Sequence, residues 1–193
     1  MAFDLVLTDP PWPYYGDPDK MGAAGKEYDL MSLEDICAIP IADSLTKTGA
    51  ALVWATGPKL PMAVEAIRAW GLHFRNVAFV WIKTRKSDNQ IIHGQGVRAT
   101  FTKQNAEYVL LATKKRTGRP FKLCVENAPQ VILAPRGRHS EKPKEIREQI
   151  DIIAPDNARK LEVFARCPVP GWTCIGNEID GKDVQEALKE LIC

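Results

Sequence analysis

The sequence predicts an α/β fold in which an open, parallel sheet carries helices on both faces. Short apolar runs rich in branched residues alternate with amphipathic helical stretches along the chain. Hydrophobic residues make up 45% and charged residues 26% of the 193 residues, which is the mix of a soluble globular protein. The sequence holds no internal repeat and no low-complexity segment, so we expect a single domain over residues 1–193.

The predicted strands are apolar runs bounded by glycine, proline and polar residues. The first, FDLVLT at residues 3–8, is rich in branched side chains, and AALVWA at residues 50–55 is apolar throughout, as a buried strand requires. Further strands are predicted at residues 74–82, 107–113, 130–134, 160–164 and 172–175. A long polar loop separates the strands at 74–82 and 107–113.

The predicted helices follow from capping residues and from apolar residues at helical spacing. Ser32, with Asp35 three residues later, resembles a capping box that opens a short helix. Residues 58–70 place apolar side chains on one helix face. A proline precedes the predicted helix at 144–153, and a last helix covers 183–191.

Positive charge is concentrated in one segment of a nearly neutral chain. The net charge is +2, yet residues 83–122 hold ten basic residues and two acids, a local charge of +8. A positive band of this kind suits a polyanionic partner. The alternative is a set of solvated, lysine-rich loops. We therefore treat residues 84–122 as a candidate recognition region.

The cysteines and histidines do not form a metal-binding pattern. The five cysteines include no C-x-x-C pair, and the three histidines are scattered, so we expect free thiols in a reducing cytoplasm and no metal site. No apolar run approaches the roughly 20 residues that span a bilayer. The N-terminus also lacks the pattern of a secretion signal, so we expect no membrane partner.

A distinctive motif, Asp9-Pro10-Pro11-Trp12, directly follows the first predicted strand. Ligands bind at the carboxyl ends of strands in open parallel sheets, so this is the position of an active-site motif. The Asp9 carboxylate and the Pro10 carbonyl can accept the N–H bonds of an exocyclic amine, and the prolines hold these acceptors in place. Trp12 offers a flat face on which an extruded base can stack. The alternative is a proline-rich turn with Trp12 packed in the core.

The sequence TDPPW after a short hydrophobic strand resembles the MT-A family of adenine-N6 methyltransferases. That family includes the catalytic subunit of the eukaryotic mRNA adenosine methyltransferase and many phage and bacterial DNA enzymes, and this chain is most similar in style to the compact phage and bacterial members. The likeness continues in order across nearly the whole chain. The similar segments are YDLMSLEDI at 28–36, WAT at 54–56, AFVWIK at 78–83, NAE at 105–107, HSEKP at 139–143, LEVFAR at 161–166, PGW at 170–172 and GNE at 176–178.

The resemblance implies a Rossmann-like methyltransferase sheet in permuted order, with the catalytic motif first and the main cofactor loop later. It implies S-adenosylmethionine as methyl donor and S-adenosylhomocysteine as product. The residues implied to hold the cofactor are Asp9, Lys142, Phe164, Arg166, Asn177 and Glu178.

The implied cofactor residues other than Asp9 each have a plain structural alternative. Lys142 at a helix start suits the methionine carboxylate, although a surface lysine is the alternative. Arg166 lies where the ribose is expected, and an ordinary ion pair is its alternative. Asn177 and Glu178 suit ribose hydroxyls or an adenine edge. The alternative for these two residues is a turn after the final strand. Phe164 is expected to be a core residue first and a cofactor contact second.

Larger relatives use residues upstream of the DPPW strand to help hold the adenine of the cofactor. Here the strand begins at Phe3, so the resemblance leaves that contact unassigned.

Nucleic-acid binding is predicted for the loop at 14–28 and for the basic segment that begins the recognition region. The candidate residues are Tyr14, Tyr28, Lys83, Arg85, Lys86, Arg98 and Lys103. The predicted partner is DNA, with RNA as an alternative, and the chain is expected to be a monomer or a homodimer in the cytoplasm of a bacterial cell or a phage-infected host. A catalytically silent scaffold subunit is a further alternative, against which the intact Asp9 and Trp12 argue.

Overall fold

The computed structural model describes residues 1–13, 30–94, 101–138 and 141–192. The strands of this part of the chain are β1 (Phe3–Thr8), β2 (Leu45–Thr56), β3 (His73–Thr84), β4 (Ala106–Thr113), β5 (Val131–Pro135), β6 (Lys160–Val163) and β7 (Thr173–Ile175). These seven described strands form one sheet in the order β5-β3-β4-β2-β1-β6-β7.

The helices of the described residues are short. They are α1 (Leu33–Cys37), α2 (Ile41–Ser44), α3 (Leu60–Ala69), α4 (Lys144–Ile153), α5 (Asn177–Asp180) and α6 (Val184–Ile192). A 3₁₀ turn at Gly57–Lys59 leads from β2 into α3. None of these helices has the length and apolar character that crossing a bilayer requires.

The sheet is mixed because β4 runs antiparallel to both of its neighbours. The other neighbouring pairs are parallel. The α/β prediction is therefore confirmed, with β4 as the exception to a parallel sheet. This reversal brings the first residues of β4 to the edge where the parallel strands end, and Glu107 of β4 pairs with Thr56 at the end of β2. We call this side of the sheet the carboxyl edge.

Alternating side chains of the central strands build a hydrophobic core on each face of the sheet. On one face, Val6 of β1 and Val53 of β2 pack in the same cluster as Ile67 of α3. On the other face, Trp54 of β2 packs in a cluster with Ile146 of α4. Helices therefore cover both faces, as the sequence predicts.

The element bounds differ from the prediction where backbone pairing outweighs residue type. The bounds of β1 and α4 agree with the predicted ones. By contrast, β2 begins at Leu45 rather than at residue 50, although its first residues are largely polar. Leu45 pairs with Phe3, and this contact with β1 extends the strand. The four-residue helices α2 and α5 were not predicted, because they are too short to show a helical period.

Candidate active site

The DPPW motif forms a tightly held loop at the end of β1. The Trp12 amide donates to the Pro10 carbonyl oxygen at 2.8 Å, and the Met31 amide donates to the Pro11 carbonyl oxygen at 3.1 Å. The Lys59 ammonium, at the start of α3, donates to the Pro13 carbonyl oxygen. One donor within the loop and two donors from outside it thus hold the loop, so the motif does not depend on its prolines alone.

Trp12 is mainly a packing residue of this loop. Its surface is 8% exposed, and it lies in the hydrophobic cluster that includes Val53 and Ile67. Its indole Nε1 donates to the Trp54 carbonyl oxygen at 3.0 Å, which satisfies the buried N–H. The small exposed part of Trp12 lines a cavity. The structure therefore combines the two interpretations of Trp12, and most of the side chain belongs to the core.

Four side chains of alternating charge lie beside the motif. The Lys142 Nζ lies 2.7 Å from Asp9 Oδ2 and 3.4 Å from Glu107 Oε2. The Lys83 Nζ lies 2.6 Å from Glu107 Oε1. Lys142 also faces the ring of Trp54, and Lys83 faces the ring of Trp81. We call Asp9, Lys142, Glu107 and Lys83 the charged cluster.

The two carboxylates of the charged cluster have opposite pKa shifts. Burial raises the pKa of Asp9 above its ordinary value, and the attraction of Lys142 offsets this only in part. Burial also acts to raise the pKa of Glu107, but Lys142 and Lys83 together outweigh it and hold that pKa below its ordinary value. Asp9 is a third exposed along its side chain, whereas Glu107 is 11% exposed. Asp9 is therefore the more accessible carboxylate and the better proton acceptor of the two.

A cavity of about 350 Å³ lies at the carboxyl edge beside the DPPW loop. The ends of β1, β6 and β7 meet there because those strands are adjacent and parallel. Of the residues predicted from the sequence, the wall combines Asp9, Pro10, Pro11, Trp12, Phe164, Arg166, Asn177 and Glu178. The Arg166 Nε lies 3.3 Å from Glu178 Oε1, so these two side chains face each other across the wall.

A strained turn and a close backbone contact shape this wall. Phe164, directly after β6, has a φ of +63°, a left-handed conformation that is uncommon for an aromatic residue. Gly176, directly after β7, has a φ of +158°, and a Cβ at this position would lie 2.6 Å from the Ala165 carbonyl oxygen. The two strand ends therefore pack backbone to backbone, which sets the positions of Arg166 and Asn177.

A second cavity, of about 290 Å³, adjoins the first and shares Asp9, Phe164 and Arg166 with it. Its wall also includes Lys142 and the first residues of α4. The N-cap residue of α4, Pro143, makes no side-chain hydrogen bond to the helix. The first N–H groups of this helix are thus not capped by that residue and border a space that can take an anion.

The predicted nucleic-acid contacts fall into several environments. Lys83 belongs to the charged cluster, and Lys86 lines the second cavity. Arg85 pairs with Asp88 at 2.8 Å and donates to the Gln90 side chain. Lys103 is exposed. The remaining candidates, Tyr14, Tyr28 and Arg98, lie outside the described residues.

Several residues of the cavity beside the DPPW loop were missed by the sequence analysis. They are Met31, Thr56, Lys59, Ala165, Asp183 and Val184. Lys59 is the most informative of these, because it is 9% exposed and burial lowers the pKa of its ammonium. A lysine one residue before α3 gives no sequence signal for this role, because only the packing of β2 against the loop brings it to Pro13. The NAE segment that contains Glu107 was recognised, but its pairing with two lysines was not.

Comparison with known proteins identifies several similar enzymes, of which three are described. The chain is 26% identical to the type II methyltransferase M.MunI of a Mycoplasma species, covering 95% of this chain and 80% of that protein. It is 27% identical to the human N(6)-adenosine-methyltransferase catalytic subunit METTL3, covering 93% of this chain and 28% of that protein. It is 30% identical to the N6-methyladenosine RNA methyltransferase MTA1 of Cryphonectria parasitica, covering 92% and 52%.

The chain thus spans most of the Mycoplasma protein and about a quarter to a half of the two eukaryotic ones. The family model of MT-A70 matches residues 3–178, which extend from the first residue of β1 to the second residue of α5. The matched region contains the DPPW loop, the charged cluster and the Phe164, Arg166, Asn177 and Glu178 wall. This chain belongs to the MT-A70 family of adenine-N6 methyltransferases.

Proposed function

We propose that this chain transfers the methyl group of S-adenosylmethionine to the N6 amine of adenine in DNA. One observation carries the proposal: Asp9 and Pro10 line the same cavity as Arg166, Asn177 and Glu178. Asp9 and Pro10 suit the amine that accepts the methyl group, and Arg166, Asn177 and Glu178 suit the ribose and charges of the methyl donor. Methyl transfer needs the acceptor amine and the methyl donor side by side.

The acceptor amine is held by Asp9 and Pro10. The lone pair of the adenine N6 is conjugated into the ring, and two hydrogen-bond acceptors on its N–H groups bias it toward a pyramidal, nucleophilic form. Asp9 Oδ2 is paired with Lys142, so we assign Oδ1 to the amine. The Pro10 oxygen already accepts from the Trp12 amide and has a second lone pair for the substrate. As the bond from N6 to the methyl carbon forms, the carbon–sulfur bond breaks and the sulfur leaves as a neutral thioether. N6 is then cationic with one proton more than the product amine, and the raised pKa of Asp9 suits it to take that proton.

The residues around the two cavities fit S-adenosylmethionine, which when bound supplies a methyl group on a cationic sulfur. Glu178 and Asn177 offer the carboxylate and amide that ribose hydroxyls require, and Arg166 holds Glu178 in place. Phe164 presents an aromatic ring at the junction of the two cavities, where a sulfonium group gains from a π face. Lys142 and the first N–H groups of α4 suit the methionine carboxylate.

The bacterial relative favours DNA as the substrate. The chain is 26% identical to the Mycoplasma type II methyltransferase over 95% of this chain. The sequence resemblance to compact phage and bacterial members, many of which are DNA enzymes, supports the same substrate. The basic residues near the carboxyl edge, Lys86 and Lys103, suit phosphate groups of either nucleic acid.

The test is methyl transfer with labelled S-adenosylmethionine and a mixed DNA substrate, followed by nucleoside analysis for N6-methyladenine. Asp9→Ala is expected to lower turnover at least about a hundredfold, as loss of a preorganised polar group at a reacting centre does. Its dissociation constant for the cofactor and its melting temperature are expected to change little. The matched control is Asp156→Ala, which removes an exposed carboxylate in the turn after α4. Near-normal turnover of Asp9→Ala would refute the role of this carboxylate.

Two other functions are separated by simple measurements. Transfer to RNA rather than to DNA of matching sequence would reassign the substrate, because a flipped adenine alone does not distinguish the two. A scaffold subunit would not bind the methyl donor. A ligand at 100 times its dissociation constant stabilises the folded state by about 2.7 kcal/mol, which corresponds to roughly 5–10 °C for a chain of this size. No thermal shift with S-adenosylmethionine would therefore favour the scaffold.

A further inference from the structure

Phe101 is exposed over 97% of its surface. Among the phenylalanines of the sheet strands, Phe3 is 1%, Phe79 4% and Phe74 42% exposed. Burial of a phenylalanine side chain contributes about 1.5–3 kcal/mol, so a ring held entirely in water forgoes a large stabilising contribution. Single exposed hydrophobic residues are common on protein surfaces, so the exposure of Phe101 points to a partner only together with the position of its segment. A binding partner that covers the ring would recover this contribution.

The segment that carries Phe101 is anchored at the carboxyl edge. The Lys83 amide donates to the Asn105 carbonyl oxygen at 2.9 Å, and the Asn105 side chain donates to the Ile92 carbonyl oxygen at 2.9 Å. Gln104 packs against Gly57, where a Cβ would lie 3.0 Å from its Nε2 atom. Gly57 follows Thr56, which lines the cavity beside the DPPW loop. Phe101 therefore lies three positions before Gln104 in the sequence, and the Gln104 side chain packs next to the cavity wall.

Basic side chains lie on the same segment and at the second cavity. Lys103 is exposed two residues after Phe101, and Lys86 lines the second cavity. These cations suit the phosphate groups of a nucleic acid. An exposed aromatic ring on a segment that carries a cation and packs beside the active-site cavity combines the two features that a base-displacing side chain needs.

We propose that Phe101 inserts into the base stack of a DNA duplex and occupies the gap left by the target adenine. The inference rests on the proposed function, because an adenine in a duplex must leave the stack before its amine can reach Asp9. Unstacking a base step costs a few kcal/mol, and an inserted apolar side chain replaces the lost stacking contacts. The ring then acts on duplex substrates and contributes little where the adenine is already unpaired.

The experiment compares one sequence in two forms: a circular single-stranded phage DNA and its double-stranded replicative form, both grown in a host without adenine methylation. Initial rates of N6-methyladenine formation are measured at low substrate concentration for the wild type, Phe101→Ala, Phe101→Leu and Phe74→Ala. Leucine retains an apolar wedge, and Phe74 is a 42% exposed aromatic residue at the opposite edge of the sheet. Phe101 makes no buried contact, so its variants are expected to remain folded, which their melting temperatures check.

We expect Phe101→Ala to lower the duplex rate at least about tenfold and the single-strand rate less than about twofold. Phe101→Leu is expected to recover most of the duplex rate, and Phe74→Ala to leave both rates unchanged. An equal loss on both forms would overturn the wedge and leave a general stacking contact, and no loss on the duplex would also overturn it. Wild-type transfer to single strands or RNA alone would overturn it as well. Absence of wild-type transfer to any nucleic acid would instead contradict the proposed function.

Discussion

Replacing Glu107 by glutamine removes the charge that pairs with two lysines and nearly preserves the shape of the side chain. Glu107 Oε1 lies 2.6 Å from Lys83, and Oε2 lies 3.4 Å from Lys142. The Glu107 side chain is 11% exposed and that of Lys142 15% exposed, so solvent compensates little for the lost charge. Lys142 keeps its contact with Asp9, whereas Lys83 loses the ion pair that orients it.

The expected loss of stability is large because the pair is buried. Removal of one partner from a buried ion pair costs about 3–5 kcal/mol, since the remaining charge stays desolvated. For a domain of this size each kcal/mol shifts the melting temperature by roughly 2–4 °C, so Glu107→Gln is expected to melt about 6–20 °C below the wild type. Methyl transfer is expected to fall as well, because Lys142 then pairs with Asp9 alone.

The assay is denaturant unfolding, in which a lower midpoint with an unchanged slope reports a loss of stability. The matched control is Glu126→Gln, because Glu126 forms an ion pair of the same 2.6 Å length with Arg119 but both side chains are more than half exposed. We expect no measurable change in the control, as is usual for exposed ion pairs. A Glu107→Gln variant as stable as this control would refute the view that burial makes the charged cluster a structural element.

Three further outcomes follow from the site. Methyl transfer requires ionised Asp9, whose pKa is raised by burial, so the rate should fall on acidification at a higher pH than for an ordinary aspartate. Lys142→Met should move this acidic fall in rate to still higher pH when the pH–rate profile is measured at saturating cofactor. Gly176→Ala should cost about 1–3 kcal/mol of stability and weaken cofactor binding in calorimetry, because its Cβ would meet backbone atoms of Ala165. Lys59→Met should lower kcat roughly tenfold or more while leaving cofactor affinity unchanged, because a charged hydrogen bond to the loop is worth about 1.5–3 kcal/mol. An unaltered kcat would contradict the role of Lys59 in holding the DPPW loop.

Much of the fold follows from local sequence signals. The bounds of β1 agree with the apolar run FDLVLT, and the Ser32 hydroxyl accepts from the Asp35 amide at 3.0 Å, as the capping pattern predicts. These features depend on neighbouring residues alone. The extension of β2 to Leu45 and the reversal of β4 depend on strands that are distant in sequence, and no local pattern predicts them.

The sequence predicted many of the residues of the site but not the contacts between them. The motifs predicted Asp9, Arg166 and Glu178 at the carboxyl edge, because strand ends in an α/β sheet converge there. The ion pair of Lys142 with Asp9 joins two residues that are distant in sequence, which no motif spacing reveals. Trp12 shows the same limit, because its residue type suits both a stacking face and a core position, and only the structure shows that the core takes most of it.

The opposite pKa shifts of Asp9 and Glu107 assign different tasks to two similar side chains. The pKa of Glu107 is lowered, so its ionised form stabilises the fold above the ordinary carboxylate pKa, and this contribution is lost as the pH falls through the lowered value. The pKa of Asp9 is raised, so at neutral pH its charge costs stability in the folded state. Asp9→Asn is therefore expected to be at least as stable as the wild type near pH 7 while losing methyl transfer, whereas Glu107→Gln loses both. Thermal melting of the two variants side by side distinguishes them, and equal destabilisation would contradict the division of roles.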